Sequence, residues 1–282
     1  MIQVAGVVFQ PNDLGTMDSR EQMIIRQMVD SPSMYTYGSR DELIFEIKLR
    51  KEIVKSAELM NDSQVEFATF ETTRSNPDYW LFTGYGALRL RPGVRPSDAI
   101  TDIFTNSRLY AFECAGAMLI IYYHAVLQVI GEAAFNRIFP DLYIYSWHAD
   151  SDLGLYPSYI NRFLPGDVVY FDNPAFDPSA PQWRGENAIV VGRDLYFGHG
   201  IGIMTAKEMI ETLNRLRREG AIQSAYLTNL VVRPSFRHLQ QFAVMTRNGP
   251  VRKYQPAMIL HDENSISYDR YRYFFSKVFK RW

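Results

Sequence analysis

From Ala115 to Ile130 the chain carries about 16 residues in which only His124 and Gln128 interrupt an apolar and tyrosine-rich run. A segment with no polar stripe reads as a helix buried on every side, so the fold must be built around it. It falls short of the roughly 18 to 20 residues that cross a bilayer, which predicts a core helix and no membrane span. The remaining chain can supply the surroundings, because 282 residues with 47% hydrophobic and 14% aromatic content suffice for one large globular unit.

The single cysteine, Cys114, stands immediately before this run. One thiol excludes an internal disulfide framework and any zinc site built from two or more cysteines of the chain, which suits a reducing compartment. Lysine and arginine total 30 against 31 acidic residues, so the overall charge gives no signal for nucleic acid or a membrane surface. The N-terminus "MIQVAGVVFQPNDLG" has neither a basic leader nor a long apolar stretch, and cytoplasmic synthesis is expected.

Residues Ile2 to Phe9 read as a strand. Two helices follow, signalled by capping-box spacings at Ser19 with Gln22 and Ser39 with Glu42. Val65 to Leu90 predicts a meander of short strands, and "RPSDAITDIF" a short helix entered through Pro96 and Ser97. Beyond the central helix, "LYIYSW", "DVVYF", "NAIVVG" and "DLYFGHG" are candidate strands, and Thr205 with Glu208 starts a helix that Gly220 should stop. From Pro250 to Trp282 the composition changes to seven basic against three acidic residues with eight aromatics. This stretch predicts a tail that packs on the domain, with an interaction tail as the alternative.

A cysteine in the first turn of a helix has its thiolate favoured by the helix dipole, as a nucleophile requires. The neighbouring Glu113 is either a carboxylate complementing that dipole or a charge that opposes ionisation of the thiol. His124 lies about ten residues along the same helix, roughly 15 Å away, and reads as a core histidine. His199, in "YFGHGIG", is the best placed of the five histidines because glycines flank it. In "PQWRGENAIVVG", Glu186 and Asn187 enter an apolar strand, where burial is costly without a partner. A helix starting at cysteine, followed by a sheet carrying polar partners, is the layout of papain-like cysteine enzymes. The residues alone thus indicate a cysteine acyl-transfer enzyme.

"YAFECA" followed by "IIYY", "NPAFDPSAPQWRGENAIVVG", "YFGHGIGI" and "GAIQSAYL" together resemble the bacterial spore-coat transglutaminases, over roughly Ile2 to Leu230. The resemblance implies an α+β, papain-like single domain over 1–240, with the Cys-bearing helix packed on an antiparallel sheet, extra N-terminal helices, and a C-terminal extension over 241–282. It also implies calcium-independent joining of a glutamine side chain to a lysine side chain with release of ammonia, through a thioester and without metal or cofactor. Carried over, Cys114 is the nucleophile, Glu186 the main acid/base partner, Glu113 a partial substitute and His199 a supporting polar residue. Trp147, Trp183 and Asn187 line the substrate passage, and amides at the start of the Cys114 helix are the expected oxyanion donors. The implied partners are spore coat proteins as glutamine and lysine substrates, with no nucleic acid or membrane. A monomer made in the mother-cell cytoplasm and acting at the spore coat is expected. Within the unmatched tail, Gln255, Lys277 and Lys280 are candidate self-cross-linking sites. The alternatives are a cysteine amidase or peptidase acting on cell-wall peptides, and a non-catalytic coat protein with a buried thiol.

Overall fold

The central helix sets the architecture. In the computed structural model, which describes residues 1–10, 16–243 and 257–279, this helix spans Cys114–Ile130, and every residue from Cys114 to Leu127 is buried. The helices around it are α1 (Ser19–Val29), α2 (Arg40–Asn61), α3 (Pro96–Thr105) and, after the central α4, α5 (Glu132–Ile138), α6 (Ala206–Arg215), α7 (Phe236–Ala243) and α8 (Tyr268–Phe279). Helix α2 packs along α4, with Leu49, Ile53, Val54, Ala57 and Met60 in the same core as Leu119, Tyr122 and Tyr123. Among the described residues no helix is long and apolar enough to cross a membrane.

Beside α4 lies a six-stranded antiparallel sheet of β9 (Tyr156–Tyr159), β10 (Val168–Asp172), β11 (Gly185–Gly192), β12 (Leu195–Gly198), β13 (Gly202–Met204) and β14 (Tyr226–Arg233), in the order β13-β12-β11-β10-β14-β9. Alternation sorts its side chains. Val168, Tyr170, Ile189, Phe197 and Val232 join the core with α4, whereas Val169, Phe171, Ala188, Val190 and Val231 pack with Met209 and Leu213 of α6. The sheet is therefore covered on both faces, and this α+β, papain-like arrangement is a single domain.

Several expected elements take other forms. The strand expected over Ile2 to Phe9 is a hairpin of β1 (Ile2–Val4) and β2 (Val7–Val8), because Ala5 and Gly6 both turn at positive φ. β1 also pairs in parallel with β3 (Tyr35–Tyr37). Helix α1 is capped one residue earlier than expected, by a box of Asp18 and Glu21 in place of Ser19 and Gln22. The expected meander divides. β4 (Glu66–Phe67) pairs with β7 (Ala111–Phe112), while β5 (Trp80–Phe82) and β6 (Leu88–Leu90) form a sheet with β8 (Tyr143–Ile144), which "LYIYSW" joins instead of the large one. Helix α6 stops at Arg215, short of Gly220, because Arg217 bridges to Phe176 and the Arg218 amide donates to the Ala175 carbonyl.

A buried ion network ties α2 to the sheet. Arg50 bonds Glu46 at 2.8 Å and Asp167 at 2.8 Å, and Asp167 takes a two-pronged contact from Arg233 with both distances 2.7 Å. The C-terminal stretch returns to the domain, where Asn264, Ser265 and Ile266 are buried. Of the three cross-linking candidates, Lys277 is exposed on α8, with its ammonium over the Tyr273 ring. Gln255 and Lys280 lie outside the described residues.

Candidate active site

Cys114 opens α4 and has no exposed surface. The cap of the helix is Glu113, whose carboxylate accepts from the amides of Ala115 at 2.9 Å and Gly116 at 2.6 Å. Both readings of Glu113 hold: its carboxylate caps the helix, and its charge opposes ionisation of the thiol. The cap also changes the expected oxyanion site, because the first-turn amides of Ala115 and Gly116 are already bonded to this side chain. Burial pushes Glu113 up to about 7, against the opposing effect of the Ala115, Gly116 and Ser265 amides and the Cys114 thiol.

Strand β11 carries Glu186 and Asn187 to the same place. The Asn187 amide nitrogen donates to Sγ of Cys114 at 3.3 Å. Glu186 is fully buried, and neither carboxylate oxygen makes a hydrogen bond of regular geometry. It sits against Gly198, where a Cβ would stand 3.0 Å from Glu186 Cγ and 3.1 Å from Oε1, so a side chain at 198 would displace the carboxylate. Burial and then the charge of Glu113 hold the Glu186 carboxyl well above the usual range, and only the His199 backbone amide favours its ionised form. The thiol is likewise raised by burial, then by Glu186 and by Glu113, with the Ser265 hydroxyl and the Asn187 backbone N–H acting the other way. In this state the proton therefore stays on the thiol.

The other expected site residues surround this cluster. His199 donates from Nε2 to the carbonyls of Phe112 at 3.1 Å and Glu66 at 3.2 Å, so it fixes the strand leading into Cys114 and leaves the thiol to other partners. Burial lowers its pKa to about 4 and keeps the ring neutral. Trp183 stacks on Phe67, centroids 5.4 Å apart, and Phe67 in turn faces His199. Trp147 is buried and donates from its indole nitrogen to the Ile266 carbonyl at 2.9 Å. Two contributors were missed in the sequence: Tyr170, whose hydroxyl donates to the Ser265 carbonyl at 3.2 Å, and the segment Asn264 to Ile266 itself. The segment lies some 150 residues from Cys114 in sequence and carries no motif of its own. Among the described residues no group of acidic, histidine or cysteine side chains could hold a metal ion.

A lone thiol at a buried helix start, beside a sheet strand carrying a carboxyl and an amide, is the papain-like layout. Residues 1–243 match the family model TGL, protein-glutamine gamma-glutamyltransferase. The protein-glutamine gamma-glutamyltransferase of Halalkalibacterium halodurans is 46% identical over 274 residues, covering 97% of this chain and 96% of its own. That of Bacillus subtilis is 43% identical over 235 residues, 83% of this chain and 96% of its own. A solved structure, the transglutaminase from Geobacillus stearothermophilus without its C-terminal extension, matches with a TM-score of 0.71 at 49% identity, over 73% of this chain and 99% of that one. The chain belongs to the protein-glutamine gamma-glutamyltransferase family, and its activity is that of a transglutaminase, an acyltransferase.

Proposed function

We propose that Cys114 is the nucleophile of this transfer and Glu186 its acid and base. The observation that carries the reading is the Glu186 carboxyl: fully buried, without a hydrogen bond of regular geometry and in charge contact with the only thiol. A group in that state is free to exchange a proton during turnover. Cys114 Sγ attacks the carboxamide carbon of a substrate glutamine as its proton passes to the Glu186 carboxylate. Collapse of the adduct breaks the C–N bond, Glu186 returns the proton to the leaving nitrogen, and ammonia departs from a thioester. A lysine amine then attacks the thioester carbon and gives a proton to Glu186, which hands it back to the departing sulfur; the product is an isopeptide. Glu113, raised to about 7 by burial, is a second carboxyl able to substitute in part. Trp147 and Trp183, with Asn187, flank the passage and exclude the water that would hydrolyse the thioester.

No step in this route calls on calcium. Spore coat proteins are the proposed glutamine and lysine substrates, met by a monomer made in the mother-cell cytoplasm. That setting rests on the resemblance of the "YAFECA" and "PQWRGENAIVVG" motifs to the spore-coat enzymes.

The test is incorporation of a fluorescent primary amine into a glutamine-rich protein with calcium chelated. Wild type should label, Cys114→Ala should fall to background, and Glu186→Gln should fall sharply. Conversion of glutamine to glutamate without amine uptake would show a hydrolase acting in its place.

A further inference from the structure

The C-terminal segment lies beyond the 1–243 family match, yet it makes some of the closest contacts with the site. The Ile266 carbonyl accepts from Asn187 Nδ2 at 2.9 Å and from Trp147 Nε1 at 2.9 Å. The same Asn187 nitrogen is 3.3 Å from Sγ. A substrate carbonyl under attack at Sγ needs donors beside that sulfur, and the amides of Ala115 and Gly116 are already bonded to Glu113. Asn187, which donates to the thiol, and Trp147 are thus both engaged by a main-chain carbonyl of the protein's own tail.

The tail is fastened there at several points. The Asn264 side-chain oxygen accepts from the Phe70 amide at 2.9 Å, and the Ser265 carbonyl accepts from Tyr170. Glu263 pairs with Arg184 at 2.7 Å, two residues from Glu186, and with Arg270 of α8. Ser265 adopts a positive φ of 56°, a conformation that costs a non-glycine residue energy and persists where surrounding contacts impose it. Asn264, Ser265 and Ile266 are all buried, and the thiol beneath them is sealed.

We infer that residues 263–266 are an intramolecular pseudo-substrate that occupies the acyl site and holds the enzyme latent, and that Asn187 and Trp147, released from Ile266, polarise the carbonyl of the substrate glutamine. This rests on the reading of Cys114 as nucleophile. The segment supplies a main-chain carbonyl where the substrate presents its carboxamide, with no glutamine to react. Opening is then a precondition of activity, and the apparent rate scales with the open fraction.

The test uses the full chain carrying Glu263→Lys with Asn264→Ala, and reads the rate of iodoacetamide alkylation of Cys114 beside amine incorporation. The thermal midpoint reports folding. Alkylation of the folded variant should be at least about tenfold faster than of wild type, with a parallel rise in labelling. A synthetic peptide of residues 257–279 added in trans should slow both again. The milder Glu263→Gln, which removes only the ion pairs, should move alkylation the same way and keeps the test open if the double variant unfolds. Faster alkylation without labelling by any form would support the plug while sinking the transferase reading. Equal alkylation rates in wild type and every folded variant would overturn the plug. In the opened variant, Trp147→Phe should lower kcat roughly tenfold at unchanged alkylation rate; unchanged kcat would remove Trp147 from the polarising role.

Discussion

Two buried polar clusters in this domain handle charge in opposite ways. In the first, burial opposes the ionised form of Asp167, but Arg233 and Arg50 overcome it and hold the carboxylate below its usual range. In the second, burial raises Glu186 and Cys114, and the charged groups acting on them are carboxylates. Depth is the same, since Asp167, Glu186 and Cys114 are all without exposed surface. Counter-charge makes the difference. A carboxyl locked by two guanidiniums can only hold structure together, whereas one buried without a counter-charge can accept and return a proton.

The contrast can be broken from the structural side first. Asp167→Ala leaves Arg50 and Arg233 buried without their shared carboxylate and should cost about 3–5 kcal/mol of stability in denaturant unfolding. Acid should act next. Burial lowers His124 and His199 to about 4 from an unfolded value near 6.5, so their contribution is complete above pH 6.5 and is lost as pH falls through 4. Each ring accounts for on the order of 3 kcal/mol at the limit. Glu113 runs the other way: raised to about 7, it contributes below about 4.5 and is lost as pH rises through 7. Glu186 is raised as well, but His148 and His261 are also lowered by burial, so the four histidines outweigh the two carboxyls, the thermal midpoint should fall between pH 6.5 and 4, and His124→Gln should flatten that fall. On the reactive side, Glu186→Gln should lower amine incorporation by about 100-fold while leaving stability unchanged or raised by about 1 kcal/mol. A variant both inactive and strongly destabilised would place Glu186 with the structural cluster instead. Smallest is Ser56→Ala, which removes the 2.8 Å bond to His124 and should cost about 1 kcal/mol without touching activity.

The sequence made α4 legible because it is apolar all round, and α2 and α6 because Ser39 and Thr205 cap them as their spacing predicts. The small sheets were not legible. β4 and β7 are two residues each and pair across more than forty positions, so tertiary contacts alone define them. In the site, Cys114, Glu186 and Asn187 could be picked out by residue type, a thiol at a helix start and polar groups entering an apolar strand. The occupation of the Ala115 and Gly116 amides by Glu113 could not, because a carboxylate before a thiol is compatible with two geometries until the χ angles are set. Trp147 and Ile266 meet across 119 positions through a main-chain carbonyl, an atom every residue possesses and no motif reveals.

The burial of α4 on all faces has a consequence for how the molecule breathes. Amides with no solvent-facing side exchange their hydrogens only when the whole domain opens, whereas a short segment that can detach from its contacts exchanges through smaller local excursions. Deuterium uptake over Ala117 to Leu127 should therefore report global unfolding. Uptake around Asn264 to Ile266 should report a faster and cheaper motion, and the gap between the two is the range within which the thiol can be uncovered while the helix that carries it stays folded.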